Sequence, residues 1–250
     1  MTMTRLRLMN TEIDNLTMDE TLDAIDSLIQ EDNCSYVVTP NVDHIVQLEK
    51  DEELKRVYEN ASLILTDGKP LIWISNWYKT PIKEKISGSD LFPRVCDLAA
   101  KKGYTMYLLG AAEGVGDKAA KNLIDKYKGL NIVGTYSPPF GFEKDKVELK
   151  KIERQIQEVH PDILIVGLGC PKQEKYMYHH CKELGVSISF GLGASIDFEA
   201  GNIKRAPKWM SEHGLEWLYR ITQDPKRLVK RYLVDDMKII GIARKYRRGA

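Results

Sequence analysis

The residues able to do chemistry in this chain gather in a few short loops. Thr66-Asp67-Gly68 sets a carboxylate directly after an apolar run. At the carboxyl end of a strand such a group faces a cleft and can accept a proton. A lone Asp-Gly pair also makes a tight turn, which is its commoner role. Thr39-Pro40-Asn41 closes a second run. Thr39 and Asn41 can hydrogen-bond a sugar or position a hydroxyl, or cap a helix from Val42 onward. The small residues of Gly110–Gly116 let backbone N–H groups approach a phosphate at a helix N-terminus. Their spacing is not G-x-G-x-x-G, and a tight packing turn suits them equally. In Gly167–Glu174, Pro171 fits a first helical turn. That would put Lys172 and Gln173 on an exposed helix N-terminus, beside a diphosphate or, more plainly, in solvent. His179-His180 looks like a metal pair, but adjacent helical residues point apart. No carboxylate or cysteine stands near them at ligand spacing, so packing or surface roles are expected. Ser195 and Ser211 lack the nucleophile-elbow pattern of a hydrolase.

Short apolar runs and amphipathic stretches alternate around these loops. The runs are Tyr36–Thr39, Leu63–Thr66, Thr105–Leu109, Asn131–Gly134, Ile163–Val166 and Val186–Phe190. Most are β-branched and closed by Gly, Pro, Asn or Asp, as buried parallel strands are. Between them Asp90–Lys102, Val115–Lys128, Lys146–His160 and Lys172–Leu184 have helical spacing. Thr17-Met-Asp-Glu20 is a capping box ahead of Leu22, Ala24, Ile25, Leu28 and Ile29. This alternation predicts an α/β fold: a Rossmann-like open, mostly parallel sheet with helices on both faces. Ligands in such sheets lie beyond the carboxyl ends of the strands, where these four loops and a fifth, Gly191-Leu-Gly193-Ala-Ser195, fall.

After Gly201 the character changes. Ile203–Pro207 reads as a linker, Lys208–His213 and Leu215–Gln223 as short helices, and Asp224-Pro225 as the cap and first turn of one long helix. Leu228, Val229, Tyr232, Leu233, Ile239, Ile240 and Ala243 form its apolar stripe, with Lys and Arg on the rest. The net charge of +1 hides an asymmetry. Residues 205–250 carry twelve Lys/Arg against five Asp/Glu, and the rest of the chain twenty-five against thirty-one. The expected division is a catalytic α/β domain over 1–202 and a basic, amphipathic helical appendage over 203–250. That appendage suits an anionic bilayer, docking on the body, or a homo-oligomer interface. Nucleic acid is not expected, because no reader motif is present.

Composition is ordinary for a globular protein, at 43% hydrophobic and 29% charged residues. No stretch approaches the roughly 20 apolar residues of a spanning helix. The first residues lack a signal-peptide core, so a cytosolic location is expected. Cys34, Cys96, Cys170 and Cys181 stand far apart without a CxxC pair, which argues against a zinc site or disulfide scaffold.

Taken in order, several segments resemble the WecG/TagA/CpsF glycosyltransferases. They are Thr39-Pro-Asn41, Thr66-Asp67-Gly68, Ser87-Gly-Ser-Asp-Leu91, Tyr107-Leu-Leu-Gly110, Gly169-Cys-Pro-Lys-Gln-Glu174 and Gly193-Ala-Ser-Ile-Asp-Phe198. The series continues through Arg205-Ala-Pro207, Leu215-Glu-Trp-Leu-Tyr-Arg220 and Pro225-Lys-Arg227. Each segment alone is weak; the ordered set is specific and spans nearly the whole chain. The resemblance implies an inverting transfer from a UDP-sugar, N-acetylmannosamine first, to a polyprenyl-diphosphate-linked sugar in cell-surface polymer synthesis. UDP-glucose or UDP-N-acetylmannosaminuronic acid are the alternative donors. It implies Asp67 as general base, Thr39, Asn41 and Gln173 in the donor pocket, Arg220 and Arg227 at the donor diphosphate, and no metal or other cofactor. It also implies an appendage that completes the site at the inner face of the membrane.

Two positions depart from the family pattern. Lys85 stands where the family usually has Arg, and Lys230 matches a further appendage Arg. Lysine neutralises a phosphate but cannot make the bidentate fork; Lys85 joins the candidate substrate-binding residues. Three other classes remain in play: a nucleotide-dependent enzyme such as a dehydrogenase, a non-enzymatic membrane-binding protein, and a nucleic-acid binder.

Overall fold

A computed structural model describes residues 5–248. The chain opens with a hairpin, β1 (Arg5–Leu8) and β2 (Thr11–Asp14), followed by α1 (Met18–Glu31). Thr17 caps α1 with both halves of the capping box in place. Then come β3 (Ser35–Val38), α2 (Val42–Leu48), α3 (Glu52–Glu59), β4 (Leu63–Ile64), α4 (Lys69–Trp77) and α5 (Gly88–Lys102). The middle of the chain alternates β5 (Thr105–Gly110), α6 (Val115–Lys126), β6 (Asn131–Tyr136), α7 (Lys146–Val159), β7 (Ile163–Gly167), α8 (Lys172–Leu184), β8 (Ile188–Gly191) and α9 (Ser195–Glu199). The last part holds α10 (Lys208–Glu212), α11 (Glu216–Gln223), α12 (Pro225–Lys230) and α13 (Ile239–Arg248).

Strands β3 to β8 form one parallel six-stranded sheet in the order β4-β3-β8-β7-β5-β6. All six expected runs are strands, and the helices expected between them form within a few residues of the expected ends. Strand residues alternate between two cores, as period-2 geometry requires. Tyr36, Val38, Leu109, Leu164 and Val166 face one core with α2, α3, α7 and α8. Val37, Leu108, Ile163, Ile165 and Phe190 face the other, with α1, α5 and α6. Burial on both faces explains why these runs are continuous rather than alternating.

Beyond β4 the chain continues extended without becoming ladder strand. Leu65 N–H donates to Val38 at 2.9 Å and Asp67 N–H to Pro40 at 2.9 Å. These bonds fix Asp67 at the carboxyl edge of the sheet, beside the Thr39–Asn41 turn. Gly68 follows at φ +94°, a backbone conformation that glycine adopts without strain, and α4 starts at the next residue.

The tail differs from the single long helix expected after Pro225. Helix α12 gives way to a π turn at Arg231–Asp235 and a 3-10 turn at Asp236–Lys238 before α13. Hydrophobic periodicity is blind to such a break, because both halves keep helical spacing. The break turns Arg231 and Asp236 toward the body: Arg231 pairs with Asp43 at 3.3 Å, and Asp236 is buried. It also splits the expected stripe. Leu228, Ile239 and Ala243 are buried, together with Ile242, whereas Val229, Leu233 and Ile240 are exposed with Val234 and Met237. Further ties hold the tail down. Tyr78 donates its hydroxyl proton to the Ala243 carbonyl, Lys245 pairs with Glu49 at 2.7 Å, and Arg247 lies over the Trp77 ring.

Candidate active site

Two cavities open at the carboxyl edge of the sheet, under the tail. One, about 250 Å³, is the more polar of the two: Thr39, Asn41, Gln173 and Ser89 line it together with apolar residues such as Leu192 and Phe198. The second, about 290 Å³, is mainly apolar, with Pro70, Trp217, Leu233, Met237 and Ile239 on its walls. Asn41, Asp67, Arg220 and Arg231 line both. Asp67 therefore sits in a wall common to both cavities.

The electrostatics around Asp67 favour a base of raised affinity for the proton. Burial pushes its carboxyl above the usual aspartate range; Arg220 opposes the rise, Glu216 adds to it, and Lys85 and His44 oppose it. Arg220, from α11, is held by Glu216 at 3.2 Å, lies over the Phe198 ring, and keeps a buried Nε–H without a partner. Lys85 pairs with Asp90 at 2.9 Å and lines the apolar cavity. Burial alone would lower the Lys85 ammonium, but Asp90, Asp67 and Glu216 outweigh it and raise the pKa.

Other expected residues prove to be builders of the site. Asn41 caps α2, accepting from the Asp43 amide at 3.0 Å and the His44 amide at 3.4 Å. Gln173 is buried, not exposed at a helix tip. Its Oε1 accepts from the Gly169 amide at 3.2 Å and the Gly193 amide at 3.0 Å, so one side chain joins two loops of the polar cavity. Gly191 leaves room for it: a Cβ there would lie 3.1 Å from Gln173 Nε2 and 2.9 Å from Met177 Cε. Thr39 is buried, its hydroxyl 3.5 Å from the Gly191 carbonyl.

Several expected sites fall elsewhere. Lys172 turns away to Glu143 at 2.7 Å and to the Phe140 ring. The Gly110–Gly116 loop does open a helix but supplies no residue to either cavity. His179 pairs with Glu53 at 2.7 Å and His180 packs on Tyr176, as expected of surface and packing residues. Ser195 donates to the Leu192 carbonyl and has no triad geometry. The Arg227 side chain lies outside the described residues.

The profile of the Glycosyl transferase WecG/TagA/CpsF family matches residues 6–250, nearly the whole chain. The chain belongs to the WecG/TagA/CpsF family. It is thus a glycosyltransferase, and the dehydrogenase, purely membrane-binding and nucleic-acid readings are set aside. Three similar curated proteins are each named N-acetylglucosaminyldiphosphoundecaprenol N-acetyl-beta-D-mannosaminyltransferase. One, from Bacillus subtilis (strain 168), is 33% identical over 178 residues, 71% of this chain and 67% of that protein. Another, from Bacillus spizizenii, is 30% identical over 193 residues, 77% of this chain and 73% of the relative. A third, from Staphylococcus aureus (strain MRSA252), is 27% identical over 228 residues, 90% and 87% of the two chains.

Within this WecG/TagA/CpsF member, two site residues were not singled out from the sequence. Arg231 touches Asn41 at 3.5 Å as well as Asp43 and lines both cavities. Glu216 orients Arg220 and faces Asp67. Arg231 is one cation in a basic stretch and Glu216 one acid in a tryptophan-rich segment. Only the fold distinguishes them from ordinary surface charge.

Proposed function

We propose that this glycosyltransferase moves N-acetylmannosamine from its UDP donor to a polyprenyl-diphosphate-linked N-acetylglucosamine, with inversion, in the synthesis of a teichoic-acid-type surface polymer. The names of the relatives support the sugar and the acceptor. The observation that carries the reading is the position of Asp67 in the wall shared by a polar and an apolar cavity. The polar cavity takes the nucleotide sugar, and the apolar one takes the acceptor, its lipid end toward Leu233 and Met237.

In the reaction the acceptor hydroxyl oxygen attacks the anomeric carbon of the donor. The bond from that carbon to the diphosphate oxygen breaks, and UDP leaves with the electron pair. Asp67 takes the hydroxyl proton; a base in hydrogen-bonding reach contributes on the order of 100- to 10,000-fold. Arg220, which lines both cavities, neutralises the departing diphosphate with Arg227 and without Mg²⁺, and Lys85 adds positive charge from the acceptor side. Thr39, Asn41 and Gln173 shape the donor side. No described helix is long and apolar enough to cross a membrane. The exposed Leu233, Val234, Met237 and Ile240, beside Lys230, Lys238 and Arg244, instead suit peripheral contact with the anionic inner face of the cell membrane.

The test is UDP release across a panel of UDP-sugars, with and without a polyprenyl-diphosphate-N-acetylglucosamine analogue, in buffer without Mg²⁺. Acceptor-dependent release with UDP-N-acetylmannosamine is expected. Release with UDP-glucose or UDP-N-acetylmannosaminuronic acid alone would reassign the donor. No release from folded protein on anionic lipid would overturn the acceptor.

A further inference from the structure

We infer that His44, Cys170 and Glu174 form a binding site for one borderline-soft divalent cation of the Zn²⁺ class. The three residues come from α2, the loop after β7 and the first turn of α8. One ligand atom from each lies within 4.8 Å of the other two. His44 Nε2 is already 3.1 Å from Glu174 Oε1. Tetrahedral zinc ligands stand about 3.3 to 3.8 Å apart, so small side-chain shifts close the set. His44 is 5% exposed and Glu174 0%, while Cys170 is half-buried on the polar cavity.

Two further observations point to a cation. Glu174 Oε2 is buried and has no hydrogen-bond partner, a costly state for a carboxylate oxygen. The surroundings also supply the outer contacts that metal ligands need. His44 Nδ1 lies 2.8 Å from Asn41 Oδ1 and 3.3 Å from the Asn41 amide; metal binding selects the tautomer in which Nδ1–H donates to Oδ1 and Nε2 presents its lone pair to the cluster. The Gln47 amide points at Cys170 Sγ from 3.3 Å, where it supports a thiolate, and Gln173 donates to Glu174 Oε1 at 2.8 Å. Thiolate with imidazole selects zinc-like ions and rejects Mg²⁺, which prefers an all-oxygen octahedron. On binding, the thiol proton goes to solvent and the sulfur donates its electron pair to the metal. The ion would fasten the start of α2 to the start of α8, and so hold Asn41 and Gln173 in place.

The experiment uses the full chain, treated with chelator, dialysed and titrated with Co²⁺ as the probe metal. A single saturable equivalent is expected, with visible d–d bands of a four-coordinate ion and a near-ultraviolet thiolate-to-cobalt band. Zn²⁺ displaces the spectrum and Mg²⁺ does not. Cys170→Ala removes the near-ultraviolet band while circular dichroism stays native. Glu174→Gln, which removes the anionic ligand, weakens Co²⁺ binding. No saturable spectrum in folded wild type would leave His44 and Glu174 as a plain ion pair and overturn the site. A near-ultraviolet band that survives in Cys170→Ala would place the metal elsewhere and overturn it equally. The readout needs no sugar donor, so it stands or falls apart from the transferase reading.

Discussion

Asp67 and Gln173 show two ways in which one side chain serves a site. For Asp67 the expectation concerns rate. Asp67→Asn should keep UDP-sugar affinity within a few-fold while turnover drops on the order of 100- to 10,000-fold, read by steady-state kinetics beside donor titration. Unchanged turnover would remove Asp67 from the base role. Because burial raises the Asp67 pKa, the acidic limb of kcat/KM should lie above the ordinary aspartate range: the base is lost to protonation earlier as pH falls. For Gln173 the expectation concerns form. Gln173→Ala leaves the Gly169 and Gly193 amides without their acceptor, costing about 1 to 3 kcal/mol in a denaturant melt and raising the donor KM. Asp67, Thr39 and Asn41 were legible from the sequence because strand ends mark the ligand edge. The clamp formed by Gln173 was not, since its partners are backbone amides of loops 4 and 20 residues away. Arg220, Arg227 and Lys85 entered only through resemblance to a family, since isolated cations carry no positional signal.

At the scale of elements, the buried parallel strands announced themselves and the irregular pieces did not. Runs such as Ile163–Val166 are long enough to be read; β4 has two ladder residues, and β1 and β2 are a separate two-stranded hairpin of mixed polarity. Helix α4 is apolar over most of its length, so periodicity could not assign it. The π turn in the tail has a measurable consequence. It buries Asp236, whose carboxyl is pushed up to about 6, chiefly by burial, against the favourable Arg231. A carboxyl raised in the folded state stabilises it when protonated. That contribution is whole below the unfolded value of 3.8 and is lost as pH climbs through about 6. Asp236→Asn should therefore raise the melting temperature at pH 7 and lose that advantage near pH 4. A shift independent of pH would show that Asp236 is not the titrating group.

For the whole molecule, the tail is both roof and candidate membrane contact. A chain ending at Asn202 should fold, by circular dichroism, yet lose transfer; full activity in that truncation would dissociate the tail from the site. Leu233→Asp together with Met237→Asp, both at exposed positions, should leave the melt unchanged and abolish sedimentation with anionic vesicles. Persistent sedimentation would move the membrane contact elsewhere. The shared wall between the two cavities has one more consequence. Asp67 lines two cavities, and each substrate would fill only one of them. A single occupant would leave one side of the carboxylate open to solvent; with both seated, solvent would be excluded from it and its basicity would climb. The residue would then act as a coincidence detector, sparing the activated sugar from being spent on solvent while the acceptor is away.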